Sequence, residues 1–305
     1  MKILLLGKGG QVGWELQRSL APLGELNALD FDSIDYCGDF TDLAGLAVTV
    51  RAIKPDVIVN AGAHTAVDKA ESEPDLVRTL NALAPGVLAK EAASIGAWLV
   101  HYSTDYVFDG SGSTPWLETD TPAPLNVYGR TKLEGEQLIA ASGCKHLIFR
   151  TSWVYGARGG NFAKTMLKLA QEREVLKVIN DQIGAPTGAE LLADVTAHAI
   201  RQVTAASAVT SSTASGTYHL VAKGQTSWFE YTKEVLALVN STQLATKLVV
   251  KSVEPVPTSA FPTAAQRPLN SRLNTGKLEA TFNLTLPHWK PGVARMLTEH
   301  IAKQI

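Results

Sequence analysis

The run KILLLGKGGQVG (2–13) constrains this chain more than any other stretch. Residues 2–6 form a short apolar run that ends at a glycine, as a strand buried on both faces of a parallel sheet does. Gly7, Gly10 and Gly13 then recur at every third position, and QVGWELQRSLAPLG continues with helical spacing. Glycines between a strand and a helix permit a tight turn. They also let an anion approach the helix N-terminus, where unpaired N–H groups point outward. A glycine-rich turn without a ligand would look the same. The position of this one, at the first strand of an alternating chain, is where a dinucleotide fingerprint belongs.

The alternation continues. LNALD (26–30), DVIVNAG (56–62), WLVHYST (98–104) and KHLIFRTSW (145–153) read as strands, and 42–56, 74–97 and the segment around VYGRTKLEGE (127–136) read as helices. The helix over 42–56 should stop before Pro55, and 74–97 should be one long helix. Strands alternating with helices predict an α/β fold, a Rossmann-type doubly wound parallel sheet. TYHLVA (217–222) can return as a further strand, the Ser/Thr/Ala-rich stretch 203–216 reads as a surface connection, and the proline-rich stretch 255–273 should resist regular structure. The expected division is a dinucleotide-binding domain over 1–152, with roughly 188–222 returning to it. A smaller substrate-binding lobe is formed mainly by 153–187 and 223–305.

Composition excludes several classes. With 28 basic and 29 acidic residues there is no basic stripe, so no nucleic-acid partner is expected. Cys37 and Cys144 are far apart and the seven histidines show no paired spacing, so the residues suggest neither a disulfide framework nor a zinc site. The N-terminal apolar run is too short for a signal peptide, and nothing reaches the roughly 18 apolar residues of a membrane span. A cytoplasmic protein with no membrane partner is expected.

Candidate site residues fall at strand ends. Gly7, Gly10, Gln11, Val12 and Gly13 would surround the pyrophosphate. Asp30 ends the second strand and is preferred over Asp32 and Asp35. Its carboxylate can accept from ribose hydroxyls and would repel a 2′-phosphate, which favours NADH over NADPH. Asp39 and Phe40 are placed near the adenine, and Ala61, Gly62 and Ala63 after the third strand would let backbone pass close to the cofactor. Thr104 closes the fourth strand, where a hydroxyl can hold a substrate carbonyl oxygen. Tyr128 and Lys132 lie one helical turn apart on one face. A free tyrosine titrates near about 10; an ammonium and a nicotinamide cation beside it would lower that value. Such a phenol can protonate a ketone oxygen as hydride reaches the carbon, and Lys132 can also bind the nicotinamide ribose.

These motifs together resemble the extended short-chain dehydrogenase/reductase superfamily. Leu6 departs from it, because many members carry Thr before the first glycine. Over essentially the whole chain, GKGGQVGWEL, STDYVFDG, NVYGRTKLEGE, DQIGAPT and RPLNSRL are similar to the dTDP-4-dehydrorhamnose reductase family. The resemblance implies NAD(P)H-dependent reduction of the C4 ketone of a dTDP-4-keto-6-deoxy-L-hexose to dTDP-L-rhamnose, for rhamnose-containing polysaccharide such as O antigen. It also implies a homodimer and a magnesium ion, for which the sequence offers no ligand set. Rival family activities are weighed by residues. Dehydratases carry Asp-Glu after the Thr, where this chain has Asp105 and Tyr106, and epimerase-reductases need a Cys and a His for which neither cysteine is placed. A regulatory role, as in the β subunit of methionine adenosyltransferase, stays open.

Substrate contacts are expected from Thr104, Asp105, Trp153, Asn161 and Arg267, with Phe162 beside Asn161 and DQIGAPT (181–187) as a binding loop. Trp153 could equally be a core tryptophan, and Arg267 a surface ion pair rather than a diphosphate contact. His64 and His101 lie near the crevice in sequence and are read as structural.

Overall fold

The computed structural model describes residues 1–205, 213–241 and 248–302. Five strands arrive in the expected order: β1 (Lys2–Leu6), β2 (Glu25–Leu29), β3 (Val57–Asn60), β4 (Trp98–Thr104) and β5 (Lys145–Thr151). The short β6 (Val154–Tyr155), β7 (Val175–Ile179), β8 (Ile183–Gly184) and β9 (Thr187–Gly188) follow. The chain then returns to the main sheet with β10 (Gly216–His219) before β11 (Thr226–Ser227) and β12 (Ser252–Val256).

The main sheet has six parallel strands in the order β10-β5-β4-β3-β1-β2. Alternation within β1 explains why it sits in the middle. Ile3 and Leu5 pack on one side with Leu16 and Leu20 of the Gln11–Leu20 helix and Leu192 and Ile200 of the Ala189–Ala205 helix. Leu4 and Leu6 pack on the other side with Val50, Leu88 and Ile139, from the Leu43–Ile53, Ala84–Ile95 and Val127–Ala141 helices. A strand apolar at every position needs cover on both faces, and each fully buried Leu or Ile contributes about 1.5–3 kcal/mol. From β2 the chain crosses back over β1 to β3, so the direction of winding reverses between β1 and β3. That reversal opens a crevice at the strand C-termini.

Two expectations are corrected. The segment 74–97 is not one regular helix: Pro74–Arg78 and Ala84–Ile95 are joined by a π-helical turn, Thr79–Leu83. Pro85 lacks an N–H to donate to the preceding turn, and the turn widens there. The wide turn directs Asn81, fully buried, at the loop after β3. Its amide accepts from the His64 N–H (2.9 Å) and donates to the His64 carbonyl (3.1 Å). The proline-rich stretch is also not wholly irregular, since residues 255–256 complete β12, which pairs in parallel with β7. The remainder is a strap pinned back on the main domain, with the Asn270 N–H donating to the Gly110 carbonyl at 3.0 Å and the Ser271 N–H to the Ile183 carbonyl at 2.8 Å. Of the connection read over 203–216, residues 206–212 lie outside the described residues, while 203–205 end the Ala189–Ala205 helix and Gly216 opens β10. Helices Phe162–Glu172, Trp228–Ser241 and Trp289–Ala302 build a second core around Tyr231, Val235, Trp289 and Val293. Among the described residues, no helix is long and apolar enough to cross a membrane.

Candidate active site

The three glycines after β1 differ in what they permit. Gly7 has a left-handed φ of 83°, and a Cβ there would lie 2.6 Å from the Gly62 nitrogen. At Gly13 a Cβ would overlap the Gly7 carbonyl oxygen, so this glycine lets the Gln11–Leu20 helix close onto the turn. At Gly10 the nearest atom would be that same oxygen, at 3.5 Å, so its face is open. One glycine therefore makes the turn, one the packing, and the middle one leaves room in front of the helix N-terminus. This is the cradle that a pyrophosphate requires. Gln11 and Val12 form the first turn of that helix and are half-buried. The Gln11 side-chain oxygen is enclosed with no hydrogen-bond partner.

Asp30 stands at the rim. Its carboxylate accepts from the Gly9 N–H at 2.7 Å and the Phe31 N–H at 3.0 Å, which ties the end of β2 to the glycine turn. Asp39 instead closes its own loop by accepting from the N–H and the hydroxyl of Thr41, both at 2.8 Å. Phe40 is buried beneath Gly62 in the core, so it supports the crevice floor from below. After β3, the Ala61 N–H extends the ladder to the Leu6 carbonyl, the Gly62 N–H donates to Asn60, and Ala63 is exposed.

The chemical groups meet at the end of β4. The Thr104 hydroxyl donates to Asp105 at 3.0 Å and accepts the Tyr106 N–H at 3.1 Å, and it is near enough to the Tyr128 phenol to influence its titration. Asn126 caps the Val127–Ala141 helix through the Gly129 N–H, which sets the first-turn position of Tyr128. The Tyr106 ring stands edge-on to that of Tyr128, with centroids 5.5 Å apart. Burial pushes Asp105 up to about 6 against the opposing pull of the nearby Ser271 and Thr104 hydroxyls, and its second oxygen has no hydrogen-bond partner.

The electrostatics of Tyr128 correct the sequence expectation. Burial pushes the phenol up to about 12, the Thr104 hydrogen bond lowers it, and the Asp105 charge raises it. Lys132 is not among these influences. Its side chain is buried against β4 instead, where Nζ donates to the Tyr102 carbonyl at 2.6 Å and lies 3.1 Å from Nε2 of His101. Burial pushes Lys132 down to about 8, with Glu136 acting the other way. In the protein without cofactor, desolvation therefore dominates both groups.

Tyr106, packed on Tyr128, also borders a cavity of about 400 Å³ lined by Trp153, Trp228, Arg173, Lys177 and Arg267. Trp153 is not in the main core. Its backbone is left-handed, with φ 49°, and its ring is held between Gly184 and Trp228, stacked on the latter at 3.5 Å and 15°. A left-handed tryptophan is a strained residue held in place by its surroundings, as happens at ligand sites. Arg267 forms an ion pair with Asp68 at 2.6 Å, while its Nη1 is enclosed without a partner. Asn161 is a helix cap: its oxygen accepts the Lys164 N–H, and its nitrogen donates to the Gly156 carbonyl at 2.8 Å. Both ends of its amide are thus committed to the fold. Arg173, Lys177, Trp228 and Asn81 escaped the sequence reading, because no local motif marks them; Asn60 opens the motif NAGA but has no role of its own in that reading. Magnesium finds no fitting residues: among the described residues, no group of three or more His, Cys, Asp or Glu could hold a metal ion.

A model of the RmlD substrate binding domain family matches residues 1–301. The chain is 60% identical to dTDP-4-dehydrorhamnose reductase of Shigella flexneri over 299 residues, covering 98% of each chain. It is 59% identical to the Escherichia coli (strain K12) protein of that name, again over 98% of each. Among solved structures, a dTDP-4-dehydrorhamnose reductase from Clostridium acetobutylicum superposes with a TM-score of 0.88 at 37% identity, covering 100% of both chains. One from Bacillus anthracis, in complex with NADP, gives 0.85 at 35% identity over 98% of this chain and 100% of that one. The glycine cradle and these likenesses over almost the full length agree, and the chain belongs to the dTDP-4-dehydrorhamnose reductase family.

Proposed function

We infer that the protein is an NAD(P)H-dependent reductase that converts dTDP-4-dehydrorhamnose to dTDP-L-rhamnose. The observation that carries the reading is the grouping of Tyr128 with the hydrogen-bonded pair Thr104 and Asp105 at the mouth of β4, between an open glycine cradle and an aromatic, cationic cavity.

When bound, the cofactor supplies the hydride. Gly7, Gly10, Gln11, Val12 and Gly13 would hold its pyrophosphate, Asp30 its adenosine ribose, and Ala61, Gly62 and Ala63 the backbone edge beside it. Asp39 and Phe40 support that edge through their loop. Tyr128 then acts as general acid on the ketone oxygen. Its high value without cofactor keeps the proton on the phenol until a strong acceptor develops in front of it. Thr104 holds the same oxygen. Its single hydroxyl proton, given to Asp105 at rest, would turn to that oxygen when the substrate is bound. Asp105 thereby orients Thr104 and offers its free oxygen to a sugar hydroxyl. Trp153 and Trp228 wall in the sugar nucleotide, and Arg173, Lys177 and Arg267 supply cations for its diphosphate. We assign the strand-rich part, 1–152 with roughly 188–222, to the cofactor and the remainder mainly to the sugar nucleotide. Plain reduction is favoured over dehydration because Tyr106, packed edge-on to Tyr128, stands where a second carboxylate would be needed.

The test is NADPH or NADH oxidation with dTDP-4-dehydrorhamnose, with product sugar identified. One cofactor consumed per dTDP-L-rhamnose formed supports the reading, and binding without turnover would favour a regulatory subunit. Incubation in deuterated water with unlabelled cofactor separates reduction from epimerisation: deuterium entering C3 or C5 at the rate of turnover would overturn plain ketone reduction.

A further inference from the structure

A run of hydrogen bonds crosses the core from the cofactor edge to the catalytic helix, and its polarity runs one way. The Gly62 N–H donates to Asn60 Oδ1 at 3.1 Å. That fixes the amide, so Asn60 Nδ2, 3.0 Å from His101 Nδ1, must donate to the ring. An uncharged imidazole that accepts at Nδ1 carries its proton at Nε2. Nε2 faces Lys132 Nζ at 3.1 Å, and Nζ also donates to the Tyr102 carbonyl at 2.6 Å. Two donors cannot share the contact between His101 and Lys132. It closes only if the lysine nitrogen offers a lone pair. His101 does not resolve the conflict by charging, since complete burial holds it well below the usual histidine range.

We propose that His101 is a positioning residue that holds Lys132 as an uncharged amine against β4 in the cofactor-free protein, and that Lys132 takes up one proton from solvent when the cofactor binds. The inference rests on the reading of the crevice as an NAD(P)H site. Ribose hydroxyls and phosphates there would give the lysine the acceptors that His101 denies it. The other ionisable groups around Lys132 are accounted for. Glu136, on the same helix, favours the charge, but it is paired with Arg150 of β5 at 2.6 Å, and both members of that pair are buried. Tyr128, one turn earlier, holds its proton. Burial pushes Lys132 down to about 8, and the hydrogen-bond polarity at His101 independently asks for a lone pair on its nitrogen. The free amine therefore prevails above that pH.

Calorimetric titration of NADPH at about pH 8.5, in two buffers of different protonation enthalpy, counts protons directly. The native protein should take up more than roughly half a proton per cofactor. His101→Phe, which keeps the ring and removes both nitrogens, and His101→Gln, which can turn an oxygen to Lys132, should each reduce that uptake at least about twofold. Carbon-13 lysine spectra of the native protein give a second count that needs no variant, and should show one lysine titrating near or below about pH 8. Cofactor binding with no proton uptake, or uptake unchanged in both folded variants, overturns the proposal. Absence of any binding heat would instead overturn the reading of the crevice.

Discussion

On the cofactor side of the crevice the walls are backbone: Gly7 against Gly62, Gly13 against the Gly7 carbonyl, and the open face of Gly10. On the substrate side they are side chains drawn from far apart, with Trp153 stacked on Trp228 and Arg173, Lys177 and Arg267 around one cavity. A backbone wall has the same shape in any sequence that supplies glycine at the right places, so it writes a short local motif. A side-chain wall is assembled by the packing of distant helices and writes none. The same contrast says which half should tolerate change. An added methyl group is ruinous where backbones touch, whereas a lost side chain in an open cavity removes a contact and leaves the fold standing.

The comparison can be broken most severely at the seam. Tyr128→Phe removes the proton and keeps the ring, so turnover should fall by about 10²–10⁴-fold while NADPH affinity, measured by fluorescence titration, stays close to native. Near-native turnover would remove Tyr128 from the acid role.

The backbone half is tested by a pair. Gly13→Ala should destabilise the protein by about 1–3 kcal/mol in denaturant unfolding and weaken NADPH binding, because the new Cβ overlaps the Gly7 carbonyl. Gly10→Ala makes only ordinary van der Waals contact with the Gly7 carbonyl oxygen, so it should weaken NADPH binding with unfolding unchanged. Equal losses of stability would mean that Gly10 serves packing as well. For the side-chain half, Arg173→Ala should raise KM for the dTDP-sugar by about 10-fold or more, as expected for a lost charge-assisted contact, and leave both stability and NADPH affinity alone. A parallel loss of NADPH affinity would show that the two walls are not separate.

Smaller effects sharpen the rim and the floor. Asp30→Ala should weaken NADH more than NADPH in direct titrations; an equal loss, or a larger one for NADPH, would show that another residue reads the ribose. Burial raises Asp105 from 3.8 to about 6, so between those values the native state holds a proton that the unfolded chain has released. Its contribution to stability is complete below the lower value and is lost as pH rises through the upper one. Melting temperatures of native protein and Asp105→Asn should therefore converge or cross between about pH 4 and 6, the variant lacking that fall. A constant difference across this window would mean that Asp105 titrates normally.

The amino-acid sequence by itself determined the sheet, the place of the crevice and the identity of the groups at its mouth. Apolar runs such as KILLL demand cover on both faces, glycines are needed wherever backbones touch, and Thr104, Tyr128 and Lys132 sit at strand and helix ends whose register follows from the alternation. Tertiary structure alone decided the rest. It broke the 74–97 helix so that Asn81 could clamp His64, committed Asn161 to a cap, and brought Arg173, Lys177 and Trp228 to one cavity. It also decided the charges. Spacing places Lys132 one turn from Tyr128, yet what surrounds each group is set by β3 and β4. The phenol is driven up by burial, and the lysine is turned toward His101. Local patterns encode which residues stand on which face, because backbone geometry repeats. Desolvation and hydrogen-bond polarity depend on every atom that packs around a group, and those atoms come from parts of the chain that meet only in the folded protein.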